Sequence, residues 1–261
     1  MAGEAITNRF MLGTASISIG PMAELQSLGV AESLGLAKNV ALKSTPKFTD
    51  LSQGVQNTLV ASVMTGNDLE VTGEIYEYTA KNLAYSLGLD GSTFIQAASS
   101  TTLTAATALL SLVLAVTSAT GITAGDWVSV HANALEQIFI RKVVSVTLLD
   151  VTVSSGFPVV IPVGAKVQVV DMVPAGSRLP QPYLACKIIG QIADGSWITI
   201  LLGKVRVTSG ISLAFKTDGF DSIPFKLTVF DLVSTDPNLG LFTDATTGDV
   251  VKAMIFSTPT V

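Results

Sequence analysis

The chain has 261 residues, of which 48% are apolar and only 13% are Asp, Glu, Lys or Arg, with a net charge of −5. Disorder is excluded, because it needs low hydrophobicity and high charge. Tight wrapping of nucleic acid is excluded as well, because it needs clustered Lys and Arg.

Charge is about half of the usual 25% or so, and Ser and Thr fill the gap with roughly a fifth of all residues. A monomer built for solubility carries more charge on its surface. Much of this surface is therefore expected to be covered by something other than water. The one cysteine, Cys186, permits no intrachain disulfide.

In chain order, the opening MAGEAITNRF does not read as a secretory signal, because it carries Glu4 and lacks an apolar core. Ala15 to Gly20 alternates apolar and hydroxyl residues, as a half-buried strand does. Gly20-Pro21 opens a short predicted helix, MAELQSL, with Gly29 past its end. Leu36 to Ser44 is strand-like, Asp50 to Gln56 reads as a loop, and Thr58 to Met64 is apolar and β-prone.

The clearest local signal runs from Asp68 to Asp90. Leu69, Val71, Gly73 and Ile75 fall on one face of a strand, while Glu70, Thr72, Glu74 and Tyr76 fall on the other. Thr79 then caps a predicted helix with Ala80, Leu83, Ala84 and Leu87 on one stripe and Gly88 at its C-terminal end.

From Ser92 to Gly125 no residue is charged, and Leu103 to Val116 reads LTAATALLSLVLAV. That run is shorter than the about 20 residues a membrane helix needs, and no Lys or Arg flanks it. No membrane span is expected. Short strands with close turns follow up to Val173, which suggests a small barrel or sandwich. Residues 92–178 are read as an inserted β-domain, with 1–91 and 179–261 forming a discontinuous core domain.

The last third returns to longer strands at Leu184 to Ile192, Trp197 to Val207, Ile223 to Val233 and Val250 to Ser257. Turn residues separate them. The fold class is mainly β: a two-sheet sandwich or barrel with one short flanking helix, plus the inserted small β-barrel or sandwich.

Machinery for chemistry is thin. His131 is the single histidine, so a Zn site of His and Cys ligands has too few donors, and no G-x-S-x-G elbow accompanies it. Ser44-Thr45-Pro46-Lys47 matches S-x-x-K, but Pro46 disfavours the helical turn that motif needs. Asp236 to Asp249 is acidic but lacks the ligand spacing of an EF-hand. Glu70 and Glu74 share one strand, whereas a glycosidase pair faces across a cleft. No enzymatic activity, cofactor or metal is expected, and a structural protein is the leading class.

In DLEVTGEIYEYTAKNLAYSLGLD (Asp68 to Asp90) the chain resembles the major tail tube proteins of tailed bacteriophages. The matching residues are Val71, Gly73, Glu77, Thr79, Asn82, Leu83, Ala84, Leu87 and Gly88. WITILLGKVRVTSG followed by LAFKTDGFDSIPFKLTVFDL is similar to the family's C-terminal pattern. The inserted block looks like a small β-module seen within phage structural proteins.

The resemblance implies stacked hexameric rings around a channel that DNA crosses without specific binding. It places the chain in the virion tail, with copies of itself and other tail proteins as partners. The long Gly91 to Leu179 block departs from the smallest family members. Under this resemblance Glu70, Thr72 and Glu74 form a candidate lumen or interface face. Phe48, Leu51, Val55 and Leu59, within Lys47 to Val63, form a candidate inter-ring contact loop, the alternative for this segment being an ordinary hairpin. The alternative is another structural subunit, such as a capsid decoration or fimbria-like protein.

Overall fold

A computed structural model describes residues 11–53, 58–94, 99–132, 137–176, 181–192, 195–210 and 222–257. The chain divides into two compact units, Met1–Phe94 with Pro174–Val261, and Ile95–Val173.

In the first unit the strands are β1 (Met11–Pro21), β2 (Ala37–Gln53) and β3 (Thr58–Ile75). After the second unit come β10 (Leu184–Ile192), β11 (Trp197–Val207), β12 (Ile223–Val229) and β13 (Ala253–Ser257). The sheet order is β10-β1-β2-β3-β12-β11-β13, and β10 also pairs with β11. That extra pairing closes six strands into a barrel and leaves β13 on the rim, beside β11.

Period-two sequence explains the closure. Ile17 and Ile19 of β1, Leu69, Val71 and Ile75 of β3, Leu184, Cys186 and Ile188 of β10, and Ile223, Phe225, Leu227 and Val229 of β12 all enter one buried cluster. Alternate residues therefore fill the barrel. Gly73 has to be small there, since a Cβ would come within 2.6 Å of the Phe225 ring.

Outside the barrel, Leu25, Leu28, Leu232 and Phe242 pack with Ala185, the outward residue between Leu184 and Cys186. Leu25 and Leu28 follow a single 3₁₀ turn at Met22–Glu24, which stands in place of the expected helix MAELQSL. Leu232 lies in the loop after β12, and Phe242 ends α2 (Leu239–Phe242), one turn that sequence periodicity did not show.

Helix α1 (Ala80–Ser86) has Thr79 as its N-cap, with Oγ1 accepting from the Asn82 amide at 3.1 Å. Gly88, at φ +75°, takes the left-handed conformation that ends it. The predicted stripe is corrected: the buried face is Asn82, Ala84, Tyr85 and Ser86, while Leu83 and Leu87 are half-buried. Polar groups win that face because the barrel rim presents carbonyls. Tyr85 donates its phenol to Ile19 O at 2.8 Å, and Asn82 Nδ2 donates to Leu34 O at 2.9 Å.

The second unit contains β4 (Ser100–Thr102), β5 (Val113–Ala115), β6 (Trp127–His131), β7 (Ile138–Thr147), β8 (Asp150–Val153) and β9 (Lys166–Val170). They form one antiparallel sheet in the order β4-β9-β6-β7-β8-β5. A bridge between Leu103 and Val116 ties the chain beside β4 to the chain beside β5, so this sheet also curls round on itself. Leu114, Val116, Val128, Val130, Val151, Phe157 and Ile161 fill it. From Ser99 to Gly125 the uncharged run is thus short strands, turns and loops; among the described residues no helix is long and apolar enough to cross a membrane.

Candidate functional site

β2 and β3 are the longest strands, at 17 and 18 residues, and they pair through to Gln53 and Thr58. The expected loop from Asp50 to Gln56 is therefore corrected as far as Gln53. β12 pairs with β3 only from Leu69 onward, and β1 pairs with β2 only at Ala37 and Lys38. Beyond Ser44 and Leu69 the two strands continue as a two-stranded ribbon. Lys47 Nζ at 2.6 Å from Asp68 Oδ2 and Ser62 Oγ at 2.6 Å from Asp50 Oδ1 brace it.

Register places the ribbon's side chains. Phe48 is opposite Met64 and Asp50 is opposite Ser62 on one face; Thr49 is opposite Val63 and Leu51 is opposite Ala61 on the other. Large apolar groups thus occupy both faces. Phe48 is 57% exposed, Leu51 62%, Leu59 59%, Val63 63% and Met64 52%. Two strands without a packed face are marginal in water. Of the four loop residues expected at a contact, Phe48, Leu51 and Leu59 lie on this ribbon, and Val55 lies outside the described residues. Val60, Val63 and Met64 belong with them. The apolar, β-prone run from Thr58 to Met64 is the signal that carries them.

Glu70, Thr72 and Glu74 do share the outer face of β3, with Leu69, Val71 and Ile75 buried behind them. The neighbouring strands change what that face is. Lys43 is opposite Glu70 and Lys38 is opposite Glu74 on β2, while Lys226 of β12 is opposite Thr72. Lys226 Nζ reaches Glu70 Oε1 at 2.8 Å. Glu74 Oε2 accepts from the Tyr76 phenol at 2.9 Å and from Asn39 Nδ2 at 3.2 Å, and the Tyr76 pKa is raised by that carboxylate. Three lysines and two glutamates make a face of mixed sign.

The residues weighed for chemistry fall apart. Ser44 and Lys47 sit on an extended strand, three residues apart and so on opposite faces. Ser44 instead donates to Asn67 Oδ1 at 2.9 Å. His131 ends β6, with Nε2 3.3 Å from Ser129 Oγ. Asp236 is bonded to Lys204 at 2.7 Å, and Asp244 caps the turn amides of Thr246 and Thr247, which lower its pKa. Cys186 is buried in the barrel, where burial raises its thiol pKa and leaves it inert.

The second unit exposes apolar groups at its turns. Thr147-Leu148-Leu149-Asp150 joins β7 to β8 by a two-residue turn, and Leu148 holds φ +55° while 91% exposed. Leu110 holds φ +61° and is exposed too. Asn or Gly ordinarily takes such positions. No protein-family model matches this chain, and no curated protein matches it either.

Proposed function

We propose that this chain is the repeating subunit of a tube of stacked rings, the tail tube of a tailed bacteriophage, through which genome DNA passes into the host. The observation that carries this is the β2–β3 ribbon, with exposed large apolar side chains on both faces. A monomer gains nothing from such a ribbon. A polymer buries it against the next copy, which supplies the hydrophobic contribution. The low charge of the chain has the same cause, because surface held against neighbours needs no ions.

The hexameric ring and the virion location come from the family resemblance of β3 and α1. The net charge of −5 suits a channel that DNA crosses without binding, since phosphates are repelled overall. The Glu70, Thr72 and Glu74 face suits a subunit contact better than a channel wall. Its glutamates are already matched by Lys38, Lys43 and Lys226, and an unmatched excess of lysine would hold phosphate back.

Negative-stain microscopy of the purified protein tests the proposal. Rings or hollow tubes are expected across a range of concentration and salt. A monomer stable at high concentration overturns it. Association with a preformed shell without polymerisation would instead favour a capsid decoration role.

A further inference from the structure

The ribbon needs a receiver, and the mouth of the first barrel contains one. A cavity of about 350 Å³ opens there, lined by Val40 and Leu42 of β2, Ile188 of β10, Ile198 and Ile200 of β11 and Ile255 of β13. Ile200 pairs with both Ile188 and Ile255, so the three side chains share the inner face of the sheet. Ile255 is nonetheless 62% exposed. The barrel's apolar interior is therefore continuous with an open, unfilled pocket.

We propose that this pocket receives apolar side chains of the β2–β3 ribbon from a second copy of the chain. The inference rests on the self-assembly proposed above and adds where the ribbon lands. Three observations select that occupant. First, the chemistry matches: the pocket is lined by apolar residues, and from Leu51 to Asn67 the ribbon has no Asp, Glu, Lys or Arg. Nucleic acid and anionic lipid have nothing to recognise at either surface.

Second, among the described residues β13 is the last strand in the sheet order, so the rim of the pocket is an edge strand. An edge offers backbone groups to an incoming strand while the pocket takes its side chains. Third, the areas suit a stable contact. Phe48, Leu51, Leu59, Val60, Val63 and Met64 are each more than half exposed. Together they offer several hundred Å² of apolar surface, the same order as the about 800 Å² per partner that a standard interface buries.

The contact has to be between copies. β2 supplies Val40 and Leu42 to the pocket and runs unbroken to Gln53, so a ribbon cannot enter its own barrel while β2 stays a strand. Ribbon and pocket are different surfaces, and the contact is heterologous. Each copy gives one ribbon and takes one, which repeats without limit along a stack.

The test uses the full chain with two substitutions, Ile255→Asp at the pocket rim and Phe48→Asp on the ribbon, followed by analytical ultracentrifugation. Wild type should form long polymers, and each variant alone should stop at single rings or their subunits. Rings of the two variants, assembled separately and then mixed in equal amounts, should pair once and stop, because the intact ribbon of one variant meets the intact pocket of the other. Wild-type-like polymers of the Ile255→Asp variant, with Phe48→Asp unstacked, overturn the pocket and leave the self-assembly proposal standing. A wild type that stays monomeric overturns both.

A second measurement covers a variant that fails to fold. Met64→Cys, on the face of the ribbon that carries Phe48, and Ile255→Cys chains are mixed and oxidised, Cys186 being buried and silent. A disulfide-linked dimer, absent from either chain alone, is expected. Its absence in polymers of the mixed chains overturns the pocket.

Discussion

Phe48 and Met64 stand opposite each other on one face of the β2–β3 ribbon, and each exposes more than half of its surface. Val63 points the other way from the same strand. If assembly covers both faces, Phe48→Asp and Val63→Asp should each abolish polymers in sedimentation velocity. Neither residue touches the barrel core, so urea midpoints should shift by less than about 0.5 kcal/mol equivalent. A Val63→Asp variant that polymerises normally would restrict the contact to the Phe48 face.

Glu70 is held between Lys226, at 2.8 Å, and Lys43, its cross-strand neighbour. The group is partly exposed, so the pair contributes modestly, in the range of about 0.2–1 kcal/mol. Glu70→Lys should destabilise the monomer by that order, through like-charge crowding on one sheet face. Adding Lys226→Glu to it should recover most of the loss at low salt, and the recovery should fade in high salt. Urea unfolding at two ionic strengths measures both. No recovery in the double variant would mean that Glu70 acts through packing instead of charge.

The same face shows what was legible in the sequence. Alternation within Leu69 to Ile75 placed Glu70, Thr72 and Glu74 together, because the side-chain period of a strand is local information. Their neighbours Lys38, Lys43 and Lys226 are up to 188 positions away in sequence from one another, and only register across β2 and β12 brings them in. The extent of the ribbon was hidden for a related reason. Gly54, with Gln and Asn around it, looks like a loop, and propensity alone does not reveal that pairing carries β2 on to Gln53. On α1 the leucine stripe misled, because Asn82 and Tyr85 are buried by carbonyls of Leu34 and Ile19 that no periodicity foresees.

Tyr85 anchors α1 to β1 by donating to Ile19 O at 2.8 Å, and burial raises its phenol pKa. Tyr85→Phe keeps the ring and removes the donor, leaving a buried carbonyl short of a partner. The expected cost is about 1–2 kcal/mol, read as a lower urea midpoint with an unchanged slope. Phenylalanine matching wild type would show that water replaces the lost donor.

Leu148 is a bulky side chain in a left-handed turn with almost no contacts to repay it. Such a conformation costs roughly 1–2 kcal/mol in an L-residue with a Cβ. Leu148→Gly should therefore raise the stability of the protein by about 1 kcal/mol, offset in part by unfolded-state entropy. Thermal unfolding gives the sign directly. Destabilisation would mean that the leucine is held by contacts in the folded chain after all.

Lys204 and Asp236 form the most buried ion pair among the described residues, with Nζ 2.7 Å from Oδ2 and side chains 10% and 14% exposed. The ammonium, helped by the Val233 amide, holds the Asp236 pKa below its ordinary value. The folded state thus binds this proton less readily than the unfolded chain, whose aspartate titrates near about 3.9. The stabilisation is complete above that value and is lost as pH falls through the lower folded pKa. Between pH 7 and 5 the pair should make no pH-dependent difference; the loss begins only below about pH 4. Asp236→Asn leaves Lys204 buried without its counter-ion and should cost about 3 kcal/mol at pH 7. Its deficit relative to wild type should shrink at pH 3, because the unfolded wild-type chain is largely protonated at Asp236 there and must release that proton to fold. Asp68 and Asp244, whose pKa values are lowered by Lys47 and by turn amides, contribute to the acid loss in both proteins and cancel in the comparison. Urea unfolding of the two proteins at pH 7 and pH 3 supplies the four midpoints. An equal deficit at both pH values would mean that Asp236 stabilises through its hydrogen bonds alone and that its charge is incidental.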